Sequence, residues 1–250
     1  MTEPVRIKRI LRRERNASSS PVVAKTEAGT CFIKLRGAGQ GTLALTAEII
    51  VAELAQAAGL NVAPHALVTL DANTPTDDKN DELAQLLSFS HGINLGFHFI
   101  EGARNLRSDE TSLIDETTAS KIICLDALVM NPDRTKQNPN ILWAEKKPWL
   151  IDHGAALGFQ YDWTRVDEAT ASRPYPFDRH LLADRASRIG AATAELAQRL
   201  TRETIANAVA AVPDDFLTPH LGATPLARRR EGYVAVLWKR LKAQAELRAP

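Results

Sequence analysis

Strand-forming residues gather in the first 105 residues of this chain and helix-forming runs in the last 120. That segregation argues for an α+β fold and against a regular alternation of strand and helix around a parallel sheet. Residues 5–10 alternate apolar and basic side chains, as an edge strand or a basic arm would. Residues 21–24 and 30–35 read as two strands of a hairpin, with Glu27-Ala28-Gly29 supplying the turn. A glycine-rich loop at 37–41 leads into a helix over 42–58, closed by Gly59, and residues 62–70 return to strand. Residues 71–92, rich in Asp, Asn, Thr and Ser around a helical patch at 82–87, read as an exposed connection.

A strand at 93–100 stops at Glu101-Gly102-Ala103, the best place for a boundary between two halves. Beyond it a helix spans 112–130 and ends at Asn131-Pro132, because a residue before proline is biased away from the helical region. Two short strands, 140–143 and 149–152, are joined through residues 144–148. Helices at 183–198, 202–212 and 226–248 complete the chain.

With 250 residues, the chain should bury roughly 70 to 75% of its unfolded surface, enough for one domain of two lobes or for two small domains. Its 31 basic and 30 acidic residues give a net charge of +1 and no general field to attract a polyanion. Six basic residues crowd positions 6–15, but a solvated strand is the preferred reading there, and nucleic acid is not an expected partner. Cys31 and Cys124 belong to no C-x-x-C pair, so neither a zinc ribbon nor a disulfide framework is expected, and a reducing cytoplasm is the default compartment. No signal peptide or membrane span is legible. The six histidines form no H-E-x-x-H, and His180 reads as a structural histidine.

The most informative run is Asn131-Pro132-Asp133-Arg134-Thr135-Lys136-Gln137-Asn138, followed after a hairpin by Asp152-His153-Gly154. Phosphoryl transfer from ATP needs a carboxylate to orient the attacking hydroxyl and accept its proton, and oxygen ligands for Mg²⁺. Asp133 can fill the first role, and Asn138 and Asp152 the second, in the order of a kinase catalytic loop and its metal-binding D-F-G. A kinase also needs a strand lysine for the α- and β-phosphates and a helix glutamate to position it. Lys34 in Phe32-Ile33-Lys34-Leu35 suits the first; Glu48 and Glu53 on the next helix are open to the second, with Glu48 favoured by its apolar flanks.

On Ile33-Lys34-Leu35-Arg36-Gly37 with Gly39-Gln40-Gly41, on residues 131–140 and on residues 150–159, the chain resembles the HipA-like kinases. The likeness is greatest to the compact bacterial members that lack the N-terminal subdomain of the HipA toxin. The resemblance implies a bilobal protein-kinase-like fold, with a β-rich lobe over residues 1–104, a helical lobe over 105–250 and ATP in the cleft between. It implies ATP and Mg²⁺ as cofactors, transfer to a serine or threonine hydroxyl, Lys34, Asp133 and Glu48 in catalysis, and Asn138 and Asp152 as metal ligands. Ser18, Ser19 and Ser20 would form the phosphate-covering turn, and Glu101 at the boundary would contact nucleotide.

The chain departs from the protein-kinase pattern in three ways: Pro132 precedes the aspartate, His153 replaces Phe in D-F-G, and no G-x-G-x-x-G precedes Lys34. The competing classes are a small-molecule or lipid kinase on the same fold, a nucleotide-binding pseudokinase or interaction protein, and a nucleic-acid-associated regulator using the basic arm.

Overall fold

The computed structural model describes residues 3–14, 20–39 and 41–246. The strands are β1 (Val5–Arg13), β2 (Val22–Thr26), β3 (Gly29–Lys34), β4 (Asn61–Val62), β5 (His65–Leu70), β6 (Gly92–His98), β7 (Arg104–Asn105), β8 (Ile141–Ala144) and β9 (Lys147–Leu150). The helices are α1 (Thr42–Ala57), α2 (Asp81–Ser88), α3 (Glu116–Val129), α4 (Glu168–Ser172), α5 (Ile189–Arg199), α6 (Arg202–Ala210), α7 (Asp214–Leu217) and α8 (Leu226–Glu246). The result is an α+β fold. The chain divides into two compact units, one of Met1–Leu45 and Ala63–Glu101, the other of Thr46–Val62 and Gly102–Pro250.

In the first unit, β1, β2, β3, β6 and β5 close into a barrel in that order. The β2–β3 hairpin forms as expected, in antiparallel register from Val22 opposite Ile33 to Thr26 opposite Gly29. The edge-strand reading of β1 is corrected: it pairs antiparallel with β2 and parallel with β5. Ile7 and Ile10 are both buried although three residues apart, which a regular strand would place on opposite faces. Register shifts between Ile7 and Arg9, and again between Ile10 and Arg12, return each apolar side chain to the barrel interior.

Residues 71–92 are not a mere exposed connection. Leu83 of α2 is fully buried among Ile7, Ile10, Val22, Ile33 and Leu70, where it helps fill the barrel core. Asn80 caps this helix by accepting the Leu83 N–H at 3.1 Å. Ahead of the helix, Ile10 N–H donates to the Pro75 carbonyl and Asp77 N–H to the Ile10 carbonyl, each at 2.9 Å. The acidic residues that make the segment look solvated face the basic strand: Asp71 pairs with Arg6, Asp77 with Arg9 and Glu82 with Arg13. Three charges of the arm, on Arg6, Arg9 and Arg13, are thus met within the unit by pairs that add little stability each.

In the second unit, β4, β9, β8 and β7 form a small sheet in that order. The β8–β9 turn is only Glu145-Lys146, both with positive φ, the geometry a two-residue hairpin of the I′ type demands. The strand expected over 62–70 is split at Pro64, so that β4 joins this sheet and β5 the barrel. Helix α3 begins later than expected because Asp115 caps it, accepting from Thr118 N–H at 2.9 Å; a 3₁₀ turn, Ser108–Leu113, precedes it. From Ile122 to Val129 every residue of α3 is buried, as in a helix with neighbours on all sides, among them α5 and α8. The helix expected from 183 starts instead at Ile189, after a run of turns. Among the described residues no helix is long and apolar enough to cross a membrane.

If α2 completes the barrel core, Leu83→Ala should destabilise the protein by about 2–5 kcal/mol. Urea unfolding checks this, and a variant with the parental midpoint would return α2 to the role of a surface connection.

Candidate active site

Helix α3 ends at Met130, which adopts a left-handed conformation (φ 54°) and turns the chain out into residues 131–140. Both the Met130 and the Asn131 N–H return to the Asp126 carbonyl. The loop is then gathered around one buried charge. Asp126 and Arg134 have fully buried side chains, with Nε to Oδ2 at 2.6 Å and Nη2 to Oδ1 at 3.3 Å. Arg134 Nη1 also donates to the Asn140 carbonyl. Asn131 Nδ2 donates to Asp126 Oδ1 at 3.0 Å, and His180 Nε2 lies 2.9 Å from Asp126 Oδ2. Because His180 Nδ1 accepts the Leu182 N–H at 3.0 Å, the ring proton sits on Nε2 and donates to the carboxylate. Burial alone pushes the Asp126 carboxyl upward, but the Arg134 charge and the His180 N–H outweigh it and hold the group below the usual carboxylate range.

This anchor presents Asp133. The Asp133 N–H donates to Asn131 Oδ1 at 3.1 Å, and its carboxylate Oδ2 accepts from Asn138 Nδ2 at 2.9 Å and Asn140 Nδ2 at 3.1 Å. Two amides converging on one oxygen fix the orientation of a half-buried carboxylate. The loop closes through Thr135 N–H on the Asn138 carbonyl at 3.0 Å. Asp152 follows β9, half-buried, with a left-handed backbone (φ 57°), and the Ile151 N–H beside it donates to the Asn140 carbonyl at 3.2 Å. His153, in the position of the D-F-G phenylalanine, is buried with Nδ1 3.5 Å from Arg134 Nη2. Asp133 and Asn138 are therefore in direct contact, and Asp152 is tied by the backbone to the same loop.

The other expected residues sit on their own elements. Lys34 ends β3 opposite Leu95, is 8% exposed, and has its Nζ 5.9 Å from the Phe97 ring centroid. Glu48 is fully buried on α1, whereas Glu53 is half-buried. Ser20 has a left-handed backbone and accepts from Arg13 Nη2 at 2.9 Å; Ser18 and Ser19 lie outside the described residues. Glu101 is exposed in the turn after β6. No group of three or more His, Cys, Asp or Glu residues gathers as a metal site among the described residues. A site of one carboxylate, one amide oxygen and substrate phosphates needs no such group.

The roles of Asp126, Arg134 and Asn140 escaped sequence reasoning. Asp126 did leave a signal: it is the one charged residue in the buried run Ile122 to Val129 of α3.

A sequence profile described as HipA-like kinase matches residues 7–228. No curated protein matches the chain. Among solved structures, the Helicobacter pylori proinflammatory kinase CtkA is similar with a TM-score of 0.60 and 13% identity, over 91% of this chain and 93% of that one. At that identity the likeness is one of fold.

Asp126→Asn should cost about 3–5 kcal/mol at pH 7, because it leaves the Arg134 guanidinium buried without its anion. The native Asp126 carboxyl is depressed, so its contribution is complete above the ordinary carboxyl range near pH 4 and is lost as pH falls toward the native value. The gap between parent and variant should therefore narrow in denaturant titrations as pH is lowered from 7 to 3; a gap independent of pH would refute the assignment.

Proposed function

The chain belongs to the HipA-like kinase family and is a kinase; from that premise we propose that it transfers the γ-phosphoryl group of ATP to a serine or threonine hydroxyl of a protein, with Mg²⁺. The observation that carries this reading is the Asp133 carboxylate, oriented by the Asn138 and Asn140 amides on a loop pinned to a buried ion pair. Phosphoryl transfer demands little covalent chemistry from the protein and a great deal of positioning. The acceptor oxygen bonds to the γ-phosphorus, the bond to the β–γ bridging oxygen breaks, ADP leaves, and the hydroxyl proton passes to Asp133.

Asn138 and Asp152 would hold the metal. With Asn138 Nδ2 directed at Asp133, the other polar atom of that amide is Oδ1, a hard oxygen of the kind Mg²⁺ prefers. A bound Mg²⁺ would supply positive charge to offset the negative charge of the phosphates during transfer. In the same reading Lys34 serves the α- and β-phosphates, Glu48 is its positioning carboxylate, and Ser18, Ser19, Ser20 and Glu101 contribute nucleotide contacts. The barrel unit would be the β-rich lobe and the helical unit the second lobe, and the protein would act in the cytoplasm.

The two aspartates should fail differently when removed. Asp133→Ala should retain Mg-ATP binding while transfer falls by about 10² to 10⁴, the usual contribution of a general base. Asp152→Ala should bind ATP with an affinity nearly independent of Mg²⁺. Calorimetric titration with and without Mg²⁺, together with transfer assays, checks both. Parental transfer by Asp133→Ala, or parental Mg-ATP affinity in Asp152→Ala, would defeat the reading at that residue.

A further inference from the structure

The run Tyr175-Pro176-Phe177-Asp178-Arg179-His180 has little regular structure, only a 3₁₀ turn at Phe177–Arg179, yet it turns the half-buried Tyr175 hydroxyl and the buried His180 ring on the loop that carries Asp133. The Tyr175 hydroxyl donates to the Asn131 carbonyl at 2.6 Å. His180 Nε2 donates to Asp126 Oδ2 at 2.9 Å, and the next N–H, of Leu181, donates to the Arg134 carbonyl at 2.9 Å. Contacts of this segment thus fall on both sides of Asp133, at Asn131 and at Arg134. None of these groups is called on by the transfer chemistry itself.

We propose that this segment is a latch for the phosphotransfer loop, with Tyr175 and His180 as positioning residues that set where Asp133 stands. The inference rests on the kinase reading of Asp133. Two routes run through the latch. From Tyr175 the route passes to Asn131, whose side-chain oxygen receives the Asp133 N–H and whose amide reaches Asp126. From His180 it passes to Asp126, then Arg134, then the Asn140 carbonyl, and the Asn140 amide ends on the Asp133 carboxylate. One route fixes the backbone of Asp133 and the other its carboxylate.

The Tyr175 donor of the latch keeps its proton at neutral pH. Burial, reinforced by the Asp126 charge, raises the Tyr175 phenol well above its ordinary range, so its hydroxyl keeps its proton. The ring stands edge-on to Phe177, with centroids 5.3 Å apart, and edge-on to His180 at 6.3 Å, which aims the hydroxyl without help from the loop it holds. Partners of this kind, one step removed from the reacting atoms, typically change activity by about 10- to 100-fold when lost, and a misplacement of about 1 Å can account for such a factor.

Tyr175→Phe keeps both ring contacts and removes only the hydroxyl. Its kcat should fall about 10- to 100-fold while the KM for ATP stays within about twofold of the parent. Amide hydrogen exchange at Asp133 and Thr135 should accelerate about tenfold, the equivalent of one net hydrogen bond, with the amides of α8 unchanged. The exchange measurement needs no turnover. His180→Ala should behave similarly, and His180→Gln, whose amide can still donate to Asp126, should recover part of the loss. Parental kcat and parental loop exchange in Tyr175→Phe would overturn the latch, as would equal acceleration throughout α8, which would mark a general loss of stability. Asp133→Ala, assayed beside them, separates the two levels. If it transfers at the parental rate, the assignment of Asp133 falls; if it is inactive while Tyr175→Phe is fully active, only the latch falls.

Discussion

The second unit is organised around the buried ion pair of Asp126 with Arg134. A buried pair is poor value as a source of stability alone, since desolvation consumes most of the attraction and a well-packed apolar replacement often does as well. What an apolar replacement cannot do is address several backbone and side-chain groups at once with fixed geometry. Here the carboxylate takes hydrogen bonds from Arg134, Asn131 and His180, and the guanidinium continues to the Asn140 carbonyl. A helix, a loop, the start of a hairpin and a distant segment share one electrostatic node. Their relative placement is therefore set by hydrogen-bond geometry, which tolerates far less play than apolar contact.

A second buried cation extends the same logic to helix ends. Arg240 of α8, 2% exposed, donates to the Ala127 and Leu128 carbonyls near the end of α3 and to the Thr170, Ala171 and Arg173 carbonyls around the end of α4. Those carbonyls are the groups a helix leaves without partners at its C-terminus, where the dipole also favours a cation. Burial, with the nearby Arg173 charge, draws the Arg240 guanidinium down to about 10, which leaves it charged at neutral pH. The end of α3 is thus fixed by Arg240 on its last turn, just ahead of the loop that Arg134 holds.

The legible parts of this chain were those determined by neighbours in sequence. The β2–β3 hairpin carried its turn in Glu27-Ala28-Gly29 and α1 its stop in Gly59, while the spacing of Asp133 and Asn138 marked out a loop that the structure closes with a hydrogen bond between them. The hidden parts depend on contacts across the chain. The burial of Leu83 required a barrel to enter, and the acidic residues of 71–82 looked solvated because their basic partners lie about 70 positions earlier. The role of Arg134 depends on Asp126 one helical turn and a loop away, and that of His180 on a residue 54 positions distant. His180 reads as structural from its sequence setting, but no local pattern says what it holds. At the start of α8, Arg230 likewise reaches across the chain to the Val209 and Val212 carbonyls and Asp214, and Arg229 stacks on Trp163.

The need for so much anchoring is visible in the backbone. Met130, Asn140, Asp152 and Leu157 all have positive φ, and they bracket the candidate loop and the Asp152-His153-Gly154 turn. A left-handed conformation costs an L-residue roughly 1–2 kcal/mol, least for Asn and Asp and more for a branched side chain such as leucine. Such conformations persist only where the surroundings over-determine them. Met130 is held by the Asp126 carbonyl, Asn140 by Arg134, and Leu157 by its N–H on the Val129 carbonyl at 2.8 Å. The sharp turns that bring a carboxylate, an amide and a second carboxylate onto one loop system are unfavourable locally, and the buried polar network offsets that cost. Loosening any strand of the network would let these residues relax toward ordinary conformations and carry Asp133 and Asp152 with them. The rigidity of the loop is a condition for placing those oxygens at all.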